Sequence, residues 1–256
     1  MARHLLYVEA DLIIDTFVGS GQKYPTFLQM SAKMIFRQGS NDDETIVHML
    51  ASALRRDISF GELRPDQKLK INELRMRYGG SNHSMRETLR ILSSEGLVEA
   101  TSQRGFRVTS ATEDDLRDIA LVRSEIEKIA VCLALQKGDV AWEGRVVAAH
   151  HALQKAETAV RESSDDLTAL EWDAACWGFS AAIIEGCDSP RLIQMHRRFF
   201  DQSRRFRLAQ LREGQIDFDA RKLRQKSLLD AVLERDEAQA LTYVQNEIDA
   251  DLNPQI

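Results

Sequence analysis

Asn82, His83, Arg86 and Arg90 follow closely on Ser81 and lie opposite Met85, Leu89 and Leu92, the apolar positions that recur at helical spacing. An amide, an imidazole and two guanidinium groups on one solvent-facing stripe are groups that bond phosphate oxygens and base edges. Ser81 suits a different task, since its hydroxyl can accept a bond from an orphan N–H in the first turn of the helix. Two further residues belong with the set. Asn72 stands on the preceding segment, and Arg104 stands between two strand-like runs, where it can enter a minor groove or hold a phosphate.

The elements that must position these groups are legible around them. Gly61 ends a helix, Arg64-Pro65-Asp66 makes a turn, and a short helix is expected over Ile71-Asn72-Glu73-Leu74-Arg75-Met76-Arg77-Tyr78. Gly79-Gly80 breaks it, and the helix led by Ser81 follows. Gly96-Leu97-Val98-Glu99-Ala100 then alternates like a strand, turns through Ser102-Gln103-Arg104-Gly105, and returns as Phe106-Arg107-Val108. The order is a helix-turn-helix with a small β-wing; the plain alternative is a helical hairpin beside an unrelated β-ribbon.

The remainder of the chain reads differently. From Ser110 onward six helices are expected, over 114–137, 141–161, 167–185, 190–212, 219–233 and 236–251, with Pro190 in a first turn and Gly138 as a stop. The fold class is therefore mostly α: a winged helix-turn-helix over 41–110, then an all-α six-helix bundle over 111–256, able to enclose a small-molecule pocket. Residues 1–40 carry no motif and are expected to be a poorly ordered extension.

Charge divides along the same line. The net charge of −6 resolves into 4 basic and 3 acidic residues over 1–40, 11 and 10 over 41–110, and 19 and 27 over 111–256. The acidity belongs to the bundle, so a local basic surface survives on the first unit. Hydrophobic residues at 43% and charged residues at 29% exclude collagen-like, disordered and membrane classes. No apolar run long enough to cross a bilayer and no secretory leader are present, and Cys132, Cys176 and Cys187 lack CxxC spacing, so a cytoplasmic protein with reduced thiols is expected.

Gly61-Glu62-Leu63-Arg64-Pro65, Tyr78-Gly79, Ser81 with Met85-Arg86-Glu87-Thr88-Leu89, Glu95-Gly96-Leu97-Val98 and Arg104-Gly105-Phe106-Arg107-Val108 resemble the winged helix of the GntR family of transcriptional regulators. The second half resembles the FCD domain of that family's FadR-like branch, through Asp115-Leu116, Arg123 with Glu127, Phe179, Cys187-Asp188-Ser189-Pro190-Arg191-Leu192, Asp201-Gln202-Ser203 and Leu228-Leu229-Asp230. The resemblance implies a homodimer on pseudo-palindromic, double-stranded operator DNA, with a small-molecule effector in the bundle. It implies no catalysis and no membrane association. Repression relieved by the effector is the commoner arrangement in the family; activation, or a pocket that senses nothing, are the alternatives.

The departures from the family set the remaining expectations. Many FCD domains hold a divalent metal through an Asp-x-x-x-His pair and two later histidines. In this chain those places align with Cys176, Ser180, Gln225 and Glu247, a set of weak or mismatched donors. No metal and no cofactor are expected. A carboxylate effector would then need Arg123, Arg205 or Arg207 for its charge, with Ser180 and Gln225 adding hydrogen bonds. An Arg123 ion pair with Glu127 one turn on is the competing reading. Asn82 stands where the family usually has arginine, and Asn72 where a relative uses arginine, so a distinct operator sequence is expected. For His196, set between basic neighbours, a surface role is expected, and for His48, packing.

Overall fold

The computed structural model describes residues 41–101 and 105–252, and among them it contains nine helices and one three-stranded sheet. Arg104 and the extension 1–40 lie outside the described residues. The winged-helix unit runs α1 (Asn41–Ser59), β1 (Lys68–Leu69), α2 (Ile71–Tyr78), α3 (Asn82–Ser94), β2 (Val98–Thr101) and β3 (Gly105–Val108). The sheet order is β1-β3-β2, all antiparallel, with Leu69 opposite Phe106 and Val98 opposite Val108. The strand β1 adds to the expected hairpin. Two residues are too few to show alternation in the sequence.

Local chemistry fixes both ends of α3. The Ser81 hydroxyl accepts from Ser84 N at 3.0 Å while the Ser84 hydroxyl accepts from Ser81 N at 2.8 Å, a reciprocal capping box. At the other end Gly96 takes φ +79°, and Leu97 N donates to Leu92 O at 3.0 Å, closing the helix with a left-handed residue. Between them Met85, Leu89 and Leu92 are fully buried against Leu54, Ile58 and Leu74. Each such side chain contributes roughly 1.5–3 kcal/mol by leaving water.

The bundle comprises α4 (Glu113–Lys137), α5 (Val140–Glu162), α6 (Asp166–Glu185), α7 (Pro190–Arg212), α8 (Phe218–Leu233) and α9 (Glu237–Leu252), each within one residue of the expected bounds at either end. Caps explain the starts: Thr112 with Asp115, Asp139, Asp165 with Thr168, and Asp217 all accept first-turn N–H groups. The Asp115 carboxyl is held down at about 2 by the hydroxyl of Ser110, then by the backbone and hydroxyl of Thr112. Gly138 does follow α4, but with φ −60°; a side chain there would strike the Trp142 ring, so space rather than backbone hand requires the glycine. Trp142, Trp172, Phe179, Ile184 and Phe200 form the centre of the core.

Helix α7 joins the two halves. Gln202 Nε2 donates to Glu95 O at 2.9 Å, Arg205 donates to Thr109 O at 2.9 Å and to Ser110 O, and Arg212 donates to Phe60 O at 3.1 Å. Glu95, the C-cap of the helix carrying the basic stripe, also receives Arg55 at 3.0 and 2.7 Å.

Candidate functional site

On α3, Ser81, Asn82, His83, Arg86 and Arg90 are exposed, while Met85, Thr88 and Leu89 on the opposite side are buried. Asn72 on α2 is exposed as well. Ser81 is the N-cap. Arg86 and His83 make no hydrogen bond or ion pair among the described residues, whereas Arg90 is paired with Glu87. Sequence reasoning overlooked Arg75. Its guanidinium donates to Asn82 Oδ1 at 3.2 Å and to Gly80 O at 3.3 Å, so it brings an arginine to the N-terminus of α3 and leaves the Asn82 NH2 free to donate. Residue spacing across Gly79-Gly80 was the available signal, because the sharp break folds the end of α2 onto the start of α3.

The second site is a cavity enclosed by side chains of all six bundle helices: Arg123 and Glu127 from α4, Leu153 from α5, Cys176 and Ser180 from α6, Phe200 and Arg207 from α7, Arg221 and Gln225 from α8, and Glu247 and Asp251 from α9. Of the expected effector residues, Arg123, Cys176, Ser180, Gln225 and Glu247 are brought together here. Arg205 is not. It points the other way, and its two terminal nitrogens donate to the backbone between the two halves; burial lowers its pKa, only partly offset by Asp115 and Asp66.

The cavity wall is an ion-pair network. Arg123 donates to Glu127 at 3.1 Å and to Asp251 at 2.8 Å, so the expected competing pair with Glu127 is present. Burial alone would raise Glu127, yet Arg123 and His196 outweigh it and hold the carboxyl at about 2. Arg207 donates to Asp173 at 3.0 and 2.7 Å and lies 3.8 Å above the centre of the Phe200 ring.

Two histidines depart from expectation. His196 is fully buried behind the cavity, stacked on Trp177 at 5.2 Å, with Nε2 bonded to Glu127 and, at 3.0 Å, to Ser180 Oγ. Its arginine neighbours Arg197 and Arg198 gave a false impression of a solvated turn, because they leave that face of α7 within one residue. His48 is exposed rather than packed.

The residues at the family's metal positions do not fit a divalent cation. Burial pushes the Cys176 thiol up to about 12, which keeps it protonated, and it also raises Glu247, with Arg221 and Arg224 offsetting it only in part. Gln225 donates its NH2 to Glu157 at 3.0 Å, and the Arg221 side chain reaches Cys176 Sγ at 3.5 Å. Among the described residues no three His, Cys, Asp or Glu side chains are grouped to hold a metal ion.

A winged helix with an exposed basic stripe, tied to a polar-walled helical bundle by α7 and by the Arg56–Asp166 pair, defines a DNA-binding regulator with a receptor domain. The bacterial regulatory proteins of the gntR family match residues 47–108, and the FCD domain matches residues 118–250. The HTH-type transcriptional repressor GlaR of Escherichia coli (strain K12) is 36% identical over 190 residues, covering 73% of this chain and 85% of that protein. BphR, an HTH-type transcriptional regulator of Paraburkholderia xenovorans (strain LB400), is 34% identical over 170 residues, covering 64% of this chain and 69% of its own. In fold, McbR/YncC of E. coli superimposes with a TM-score of 0.62 at 20% identity, over 82% of this chain and 98% of that one. The chain belongs to the GntR family of transcriptional regulators, with a C-terminal FCD domain. Regulators of this family bind operator DNA and their FCD domains bind small-molecule effectors; it is not a family of enzymes. No described helix is long and apolar enough to cross a membrane.

Proposed function

We propose that this protein is an effector-responsive repressor that binds a pseudo-palindromic operator as a homodimer and leaves it when a small carboxylate enters the bundle cavity. The observation that carries this reading is the joint position of α7, whose Phe200 and Arg207 line the cavity while its Gln202 and Arg205 hold the end of α3 and the segment after the wing. An anion that pulls on the arginines of the cavity wall acts on the helix that sets the angle of the DNA-reading unit. Exposed Arg86 and His83, Asn72, the Arg75–Asn82 pair and the wing residue Arg104 form the contact set for the duplex. The description of the E. coli relative as a repressor supports the sign of the response.

The test has two stages. Selection of bound DNA from random sequence should yield a single two-fold symmetric site, with half-sites about one helical turn or a multiple of it apart. Release from that site, followed by fluorescence anisotropy, should occur with small mono- or dicarboxylates at matched ionic strength and not with chloride. Selection that returns no preferred sequence, or release that follows ionic strength alone, would contradict the reading.

A further inference from the structure

Three arginines reach into the cavity, and they are not equally occupied. Arg207 makes hydrogen bonds to Asp173, Ser203 and Phe200 O, and Arg123 makes them to Glu127 and Asp251. Arg221, 9% exposed, makes one among the described residues, the long contact to the sulfur of Cys176. Its Nε is buried without a hydrogen-bond partner, although Glu157 Oε1 lies 3.3 Å away, and Nη1 stands 3.6 Å from Asp251 Oδ1. The neighbouring acids are shared with other arginines: Asp251 receives Arg123 through Oδ2 at 2.8 Å while its Oδ1 faces Arg221, and Glu247 receives Arg224 at 2.9 Å. A guanidinium has five donors, and leaving most of them unmatched in a buried space is costly unless a ligand completes them.

Beside it lies an acceptor in the same condition. Gln225 follows Arg221 by one helical turn, is 1% exposed, and shares the Glu157 oxygen with it, donating at 3.0 Å. Its own Oε1 has no partner. The cavity thus offers a cationic fork that is ion-paired at 3.3 and 3.6 Å yet leaves most of its donors without a hydrogen bond and, one turn away on the same helix face, an acceptor without a partner. These two residues stand among Cys176, Ser180 and Glu247, the places that the resemblance to metal-holding FCD domains aligns with their ligands.

Resting on the carboxylate reading above, we infer that Arg221 replaces the family's metal as the cation that receives the effector's carboxylate, and that Gln225 Oε1 accepts a hydrogen bond from a hydroxyl next to that carboxylate. The ligand class is a small hydroxycarboxylate. The bidentate match of guanidinium to carboxylate explains how the chain dispenses with histidine ligands while keeping an anion site.

The probes are acetate and glycolate, which differ by one hydroxyl and are small enough for any site of this class, with chloride at equal ionic strength as reference. For the whole protein, glycolate should raise Tm by about 2–4 °C at saturating concentration and acetate by less. Arg221→Lys keeps the charge but loses the fork and should cut both shifts to less than half; Arg221→Gln should abolish them. Gln225→Leu should bring glycolate down to the level of acetate. If Arg221→Gln is too unstable to purify, the lysine variant decides alone. Shifts that persist unchanged in Arg221→Lys would place the anion elsewhere, sinking this assignment while sparing the carboxylate reading. No shift with either acid in the unmodified protein would sink both. A larger shift with zinc or nickel than with glycolate would show an open cation site and overturn the replacement.

Discussion

Arg86 and Arg207 carry the same guanidinium, yet Arg86 is exposed with no partner among the described residues while Arg207 is 2% exposed and bonded to a carboxylate, a hydroxyl and a carbonyl. The same contrast separates the two regions. On α3 the charges are held out by an inner face of Met85, Leu89 and Leu92 with the uncharged Ser84 and Thr88, so each can be given to a partner without loss to the fold. In the bundle the charges are themselves the packing: Asp173 alone ties Arg204 at 2.5 Å and Arg207 at 2.7 Å. Removing a charge should therefore cost DNA affinity in the first region and stability in the second.

The strongest way to break that comparison is Asp173→Ala. It leaves the buried Arg207 without a carboxylate and Arg204 with Asp201 alone, and should lower unfolding free energy by about 3–5 kcal/mol in a denaturant titration; a variant of unchanged stability would show that the bundle charges are not structural. Next comes acid. Because the Glu127 carboxyl is held at about 2 in the folded protein against 4.5 ordinarily, its contribution is complete above the higher value and is lost as pH falls toward the lower one. The denaturation midpoint should accordingly drop between pH 5 and pH 3, and drop less in Glu127→Gln. On the DNA side, Arg86→Ala should weaken binding by roughly 1–3 kcal/mol on every sequence and reduce the salt slope by about 1, with Tm unchanged, whereas Asn82→Ala should mainly relax preference at one base. Equal anisotropy curves for Arg86→Ala and the parent would remove that residue from the interface. The smallest effect sharpens the boundary between the regions. Ser81→Ala removes a cap and should cost about 1 kcal/mol of stability, a structural loss from within the DNA-reading stripe itself.

Much of this architecture can be read without coordinates, for identifiable reasons. Long helices announce themselves by repeated apolar positions and by proline in a first turn, which is why Pro190 marks the start of α7, whereas the caps at Thr112 and Asp165 emerge only in the structure. The strand β1 leaves no such trace. For the cavity, the family's metal positions locate Cys176, Ser180, Gln225 and Glu247, because alignment carries position even when chemistry has changed. It does not say which arginine turns inward. Arg205 and Arg207 differ by two residues and hence by more than half a turn, so one faces the winged helix and the other the cavity. Arg221 was legible in principle, one turn before Gln225 on the same face, but only the depth of burial distinguishes it from its exposed neighbour Lys222. His196 shows the converse error, in which the following arginines mislead about a side chain fully buried between the Trp177 and Phe200 rings and the Glu127 and Ser180 side chains.

The backbone contacts made by Gln202 and Arg205 bear on attempts to rewire regulators by grafting one protein's DNA-reading head onto another's sensor. Gly96 sits so close to the Gln202 carboxamide that a side chain there would collide with it, and the carbonyls of Glu95, Thr109 and Ser110 are acceptors chosen by helix α7 of this chain. A chimera cut at the junction after the wing would inherit a sensor whose anchoring groups meet foreign backbone. Transplanting the head together with residues 202 and 205 keeps the seam intact, so the functional unit of exchange is wider than the DNA-reading domain.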